Sequence, residues 1–155
     1  MEKIESFKVN HLTLKQGLYV SRRDSFDGVE CTTFDMRFTC PNTEPVMMLP
    51  AIHTIEHLGA TFFRNSDIKD RVVYFGPMGC STGFYLVLFG HFESADIFKK
   101  VLEFCDFVIG FEGKIPGADP KECGNYSEQN LDMAKYYVKK YKCELEENPR
   151  FEYSL

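Results

Sequence analysis

Between residues 49 and 64 the chain carries two periodicities at once. Ile52, Ile55, Leu58, Ala60 and Phe62 recur near helical spacing. Pro50 suits a first helical turn, where its missing N–H has no partner to lose. A helix over 49–64 is therefore expected, with one face on a core. The same segment reads His53-Thr54-Ile55-Glu56-His57. Its two histidines are four residues apart, so both imidazoles fall one turn apart on a common face and can grip one metal ion. Glu56, three residues after His53 and beside His57, can project toward the same ion as a proton-transfer carboxylate.

The rest of the chain is laid out around that helix. Residues 28–38 set Phe34, Met36 and Phe38 against Thr33, Asp35 and Arg37 with period two, which predicts a half-buried strand. A preceding strand near 19–23 would pair with it as a hairpin through the polar turn between Asp24 and Gly28. Residues 72–75 and 84–92 are dense in β-branched and aromatic side chains and flank the Gly/Pro-rich segment 76–83, which predicts two strands and a constrained turn. Ser94 is the expected cap of a helix carrying Ile97, Val101, Leu102, Cys105 and Val108. After a polar loop over 110–124, Ser127 is the expected cap of a last helix whose Leu131, Ala134, Val138 and Tyr141 share a face. Strands and helices are segregated rather than alternating. The expected fold is α+β, an antiparallel sheet with helices packed on it, in a single domain over 1–155 with the metal site on a helix.

Composition narrows the function. Lys and Arg total 18 against 23 Asp and Glu, a net charge of −5, with no basic stripe, so nucleic acid is excluded as a partner. At 44% hydrophobic residues the chain can bury a core. Its longest apolar stretch, 84–92, is about half of a membrane span, so no membrane segment is expected. Residues 1–12 alternate charged and apolar side chains and lack the apolar run of a secretory signal. A reduced, cytoplasmic protein is expected. Its six cysteines are then buried small hydrophobes, metal ligands or nucleophiles rather than bridge partners. Cys31, Cys105 and Cys143 sit on apolar periods.

A catalytic metal site needs a third protein ligand and an open position, and the candidates are Cys123, His91, His11 or a downstream carboxylate. Cys123 stands out, because its loop, Asp119-Pro120-Lys121-Glu122-Cys123-Gly124-Asn125, offers no core to bury a thiol. Cys80 is the second distinctive thiol. Gly79 and Gly83 around it permit unusual backbone angles, and a thiol held near a metal can serve as base or nucleophile. Arg37 and Arg64 could each clamp a carboxylate or polyol. The His53–His57 motif points strongly to a metal and only weakly to a reaction, and two readings it leaves open are an H-x-x-E-H peptidase in which Glu56 activates water and a closed structural metal.

Together these residues resemble the S-ribosylhomocysteine lyases, which make the autoinducer precursor dihydroxypentanedione. The resemblance runs through Glu5-Ser6-Phe7 and His11, Phe34-Asp35-Met36-Arg37-Phe38 with Pro41-Asn42, Ala51 through Leu58, Pro77 through Gly83, and Cys123-Gly124. It implies that His53, His57 and Cys123 hold a divalent ion, iron(II) with zinc or cobalt as substitutes, and that Cys80 and Glu56 are the general acid/base pair. Ser6, His11, Arg37 and Arg64 match positions that contact the ribose or the homocysteine end of the substrate. The resemblance also implies a homodimer whose interface builds two sites, with Ser6 and His11 reaching the partner's metal. Tyr74, where members carry Asp, and Phe84, where Tyr is common, depart from the pattern around the homocysteine end.

Overall fold

The computed structural model describes residues 2–153, apart from the side chains of Glu5 and Ser6. Its elements run α1 (Glu5–Lys8), β1 (Gly17–Phe26), β2 (Val29–Arg37), α2 (Leu49–Asn65), a 3-10 turn (Lys69–Arg71), β3 (Val72–Pro77), β4 (Gly83–Phe89), α3 (Ser94–Gly110) and α4 (Leu131–Glu147). The four strands form one antiparallel sheet in the order β1-β2-β4-β3. The first hairpin is tighter than the sequence suggests. β1 runs on to Phe26, which pairs with Val29, and the turn is Asp27-Gly28, both left-handed at φ 49° and 78°. Two consecutive positive φ values match the twist of the flanking strands, and an Asp-Gly pair adopts them at least cost.

One sheet face meets the three long helices. Phe34, Met36, Phe84, Leu86 and Leu88 point from β2 and β4 into a core shared with Ile55, Leu58, Phe63, Val101, Phe104 and Val138, all fully buried. Phe63, Phe75, Phe84 and Phe104 form its aromatic centre, with neighbouring rings 5.1–5.6 Å apart. α2 crosses this face at close range. A methyl group on Gly59 would lie 2.1 Å from Cε1 of Phe75, so only glycine admits the strand here.

The other face is less open than expected. β2 is buried on both sides from Thr32 to Arg37, with Asp35 and Arg37 at 2% and 3% exposure. The expectation of a half-buried strand fails because the chain's two ends fold over it. Val9 and His11 come from the N-terminal segment, and Tyr153 from the C-terminal tail. Two caps also move. Glu93, in a capping box with Asp96, rather than Ser94, starts α3, and Asn130, accepting from Met133 N–H at 3.0 Å, rather than Ser127, starts α4. Cys143, expected on an apolar period, is exposed, and all six cysteines are free.

Candidate metal centre

α2 buries Ile52, Ile55, Leu58 and Phe63, and so turns His53, Glu56 and His57 toward a half-exposed edge. A loop over 111–130 lies against that edge. Ile115 pins it to the core at 7% exposure. Asp119 then turns it: its side chain accepts the Lys121 N–H at 3.0 Å, and its carbonyl accepts the Cys123 N–H at 2.9 Å. The Lys121 N–H, with help from Lys114, holds the Asp119 carboxyl below the usual carboxylate range. The turn delivers Cys123 to the two histidines.

The ligand atoms of His53, His57 and Cys123 all lie within 4.8 Å of one another. His53 Nε2 is 3.0 Å from His57 Nε2 and 3.4 Å from Cys123 Sγ. Both Nδ1 atoms face backbone carbonyls, His53 that of Glu128 at 2.9 Å and His57 that of Pro116 at 2.6 Å. A carbonyl only accepts, so each Nδ1 carries the proton, the Glu128 carbonyl at 2.9 Å prevailing at His53 over the Gln129 amide nitrogen at 3.3 Å, and each Nε2 presents a bare lone pair. Two lone pairs aimed at each other repel unless a cation lies between them. Tetrahedral coordination at ordinary Zn–N and Zn–S lengths places such atoms roughly 3.3–3.6 Å apart, close to what is found. The Asn125 N–H also points at Cys123 Sγ from 3.4 Å. The donor set therefore fits a divalent transition metal.

A polar seam locks the histidines from behind. The Thr54 hydroxyl accepts the Asn130 N–H at 2.9 Å and donates to Gln129 Oε1 at 2.7 Å, which ties the start of α4 to α2. Sequence reasoning missed Thr54 and Gln129. The signal was there, since Thr54 follows a ligand on the same helix, but its partners lie 75 and 76 residues away.

The Glu56 side chain makes no hydrogen bond or ion pair among the described residues. It borders an open depression of about 270 Å³ together with His57, Thr61, Pro116 and Gly117.

Cys80 stands in a different group. The turn between β3 and β4 closes with Met78 N–H on the Gly83 carbonyl at 2.9 Å and leaves Cys80 exposed, followed by Ser81 at a left-handed φ of 59°. Cys80 Sγ lies 3.0 Å from Thr82 Oγ1 and 3.9 Å from Arg37 Nη1. Arg37 donates to Thr82 Oγ1 and Asp35 Oδ2, both at 2.6 Å. His11, its Nδ1 on the Val9 carbonyl at 2.9 Å, lines a small cavity beside Asp35 and Arg37. No hydrogen bond, ion pair or ring contact among the described residues joins this group to the three ligands. The turn is nevertheless fixed to the start of α2, because the Met47 N–H donates to the Ser81 carbonyl at 3.0 Å.

Of the remaining expected residues, Arg64 ties α2 to β3 by donating to the Val73 carbonyl at 3.0 Å. His91, a candidate third ligand, pairs instead with Glu30 at 2.8 Å. Ser6 lies in α1, and its side chain is outside the described residues. Asp35 was not singled out from sequence, although its spacing of two from Arg37 on one strand face places the two side by side.

A sequence profile described as S-Ribosylhomocysteinase (LuxS) matches residues 4–152. Proteins named S-ribosylhomocysteine lyase from Finegoldia magna and Clostridium acetobutylicum are each 56% identical to the chain, over 91% of it and 90% of their own length. One of the same name from Borreliella burgdorferi is 53% identical over the same shares. No helix among the described residues is long and apolar enough to cross a membrane.

Proposed function

The chain belongs to the S-ribosylhomocysteinase (LuxS) family and acts as a carbon–sulfur lyase on S-ribosylhomocysteine, and from that premise we propose how its own residues divide the work. The peptidase and structural-metal alternatives give way with it. His53, His57 and Cys123 hold one divalent ion, iron(II) in the working state, with zinc or cobalt as substitutes. The observation that carries this is the pair of bare Nε2 atoms facing each other at 3.0 Å with the Cys123 sulfur beside them. When bound, the ion supplies Lewis acidity to the carbonyl and hydroxyl oxygens of the sugar, which acidifies the neighbouring C–H bonds.

Cys80 takes and returns the carbon-bound protons. The Arg37 guanidinium and the Thr82 hydroxyl stand beside its sulfur, at 3.9 Å and 3.0 Å, and hold it in place. Two successive enolisations move the carbonyl along the ribose chain, each removing a proton from one carbon and returning one to its neighbour. Glu56, whose carboxylate is otherwise uncommitted, exchanges protons among the oxygens. In the last step a proton leaves the carbon beside the carbonyl, a C=C bond forms, and the C–S electron pair departs on sulfur. The enol so formed loses its hydroxyl proton and gains one at the terminal carbon to become a ketone, and the departing sulfur takes a proton, which gives 4,5-dihydroxy-2,3-pentanedione, the autoinducer-2 precursor, and homocysteine. No net electron transfer occurs.

Ser6, His11, Arg37 and Arg64 are proposed to contact substrate, and the site to be completed in a homodimer. That no hydrogen bond, ion pair or ring contact among the described residues joins the Cys80 group to the metal ligands within one chain supports this. So do the exposed Phe7 and Leu12 on either side of His11, at 69% and 76%. One continuous apolar cluster supports reading 1–155 as a single domain, and six unbridged thiols support a cytoplasmic location.

The test is anaerobic. Iron(II)- or cobalt-loaded protein is mixed with S-ribosylhomocysteine, and released thiol is titrated against a control without substrate. Release that requires both metal and Cys80 is expected, with Cys80→Ala and Glu56→Gln keeping their metal but losing turnover. Full turnover in Cys80→Ala would overturn its role as base.

A further inference from the structure

The supports of Cys80 end in a side chain just outside the residues the family profile matches, which stop at 152. The Tyr153 hydroxyl donates to Asp35 Oδ2 at 3.0 Å. The same oxygen accepts Arg37 Nη2 at 2.6 Å. Arg37 Nη1 then reaches Thr82 Oγ1 at 2.6 Å and Cys80 Sγ at 3.9 Å. The Asp35 and Arg37 side chains are 3% and 4% exposed. Among the described residues Arg37 Nε has no hydrogen-bond partner, so the orientation of the guanidinium is set chiefly by the short bonds its Nη atoms make to Asp35 and Thr82. Because that group is planar and rigid, fixing Nη2 on Asp35 fixes where Nη1 points.

The tail that brings Tyr153 here is itself anchored. The Arg150 carbonyl accepts the Leu18 N–H at 3.0 Å, Arg150 Nη1 donates to the Gln16 carbonyl at 3.1 Å, and Phe151 meets Phe98 at 5.2 Å. Tyr153 stacks on Tyr19, with ring centroids 4.6 Å apart and planes 19° from parallel. The charged and titratable groups that interact with Asp35 are Arg37 on its own strand, Tyr19 from β1, Tyr85 from β4, Tyr141 from α4, His11 from the N-terminal segment and Tyr153.

We propose that Asp35 and Tyr153 are positioning residues for Cys80: Tyr153 holds Asp35, Asp35 holds Arg37, and Arg37 with Thr82 holds the reactive sulfur. This rests on Cys80 being the base. The sign of one measurement separates positioning from mere charge. Asp35→Asn removes a negative charge, which by electrostatics alone eases ionisation of the nearby thiol. If Asp35 instead keeps the guanidinium in place, its loss releases Arg37 from Cys80 and makes ionisation harder.

The experiment alkylates the intact metal-loaded protein with iodoacetamide from about pH 5 to about pH 9 and quantifies the Cys80 peptide by mass spectrometry, with exposed Cys143 as internal reference. In Asp35→Asn the midpoint of Cys80 reactivity is expected to rise by about one pH unit, a roughly tenfold slower reaction at lower pH. Tyr153→Phe, which removes only the hydroxyl, is expected to slow it about threefold. A lowered or unchanged midpoint in both variants overturns the proposal, and if Asp35→Asn does not fold, Tyr153→Phe decides alone. The readout uses no substrate. A failure here leaves the role of Cys80 as base standing, whereas turnover by Cys80→Ala removes that role without touching the relay.

Discussion

His53 and His57 face each other Nε2 to Nε2 across 3.0 Å, with both Nδ1 protons already committed to backbone carbonyls. This arrangement is favourable only around a cation. Stripping the metal with a chelator is expected to lower the unfolding temperature by several degrees, and refilling with cobalt or zinc to restore it. His57→Ala should show neither metal nor the chelator response. Calorimetry with metal analysis checks both, and an unchanged melting curve after complete metal removal would count against the centre.

Thr54 predicts the effect of loosening the seam behind the ligands. Thr54→Val keeps the volume but loses the bonds to Gln129 and Asn130. Metal affinity, measured by competition with a coloured chelator, is expected to fall by about tenfold or more while the helical signal is kept. Affinity equal to the wild type would mean that the tautomer of His53 is set by the Glu128 carbonyl alone.

Gly59 should resist the usual benefit of alanine in a helix. Alanine is intrinsically better there by about 1 kcal/mol, but its methyl would press on a Phe75 ring already packed on Phe63 and Phe84. Gly59→Ala is expected to destabilise by about 1–3 kcal/mol in urea unfolding. A stabilised variant would show that α2 can ride away from β3 at no cost.

Buried acids predict the alkaline limit. Burial pushes Tyr19 up to about 12, holds Tyr141 and Tyr153 well above the ordinary phenol value, and raises the Cys105 thiol. In an unfolded chain these groups lose protons near their ordinary values of 10.0 and 9.0. The folded chain therefore binds more protons above about pH 9, and stability falls as pH rises through that window. Urea midpoints at increasing pH should fall steadily, and the tyrosinate absorbance of the buried rings should appear only with unfolding, on top of what the exposed Tyr74, Tyr126 and Tyr136 contribute. Full tyrosinate absorbance from all eight tyrosines in a still-folded protein would contradict the burial.

What the sequence disclosed follows from how local each signal was. α2 begins where Pro50 and the helical period place it and ends one residue past the expected Arg64, because the period and the proline of the first turn agree there. His53, His57 and Cys123 were legible from helical spacing and from a thiol in a polar loop. The caps of α3 and α4 were misplaced because several polar residues precede each helix and tertiary contacts choose among them. Asp35 and Arg37 read as a solvated face because nothing in their neighbourhood announces that residues from both ends of the chain will cover it. The Thr54 seam was hidden for the same reason.

The ligand set has a mechanical meaning as well as a chemical one. His53 and Cys123 stand 70 residues apart, and the segment between them includes β3, β4 and α3. An ion gripping both is a removable cross-link across nearly half the chain, and a fixed tie over such a span is worth on the order of 4 kcal/mol in lost unfolded-state freedom. The loop over 111–130 is then the clasp, so protease cuts in it should become frequent when the ion leaves and rare again when it returns.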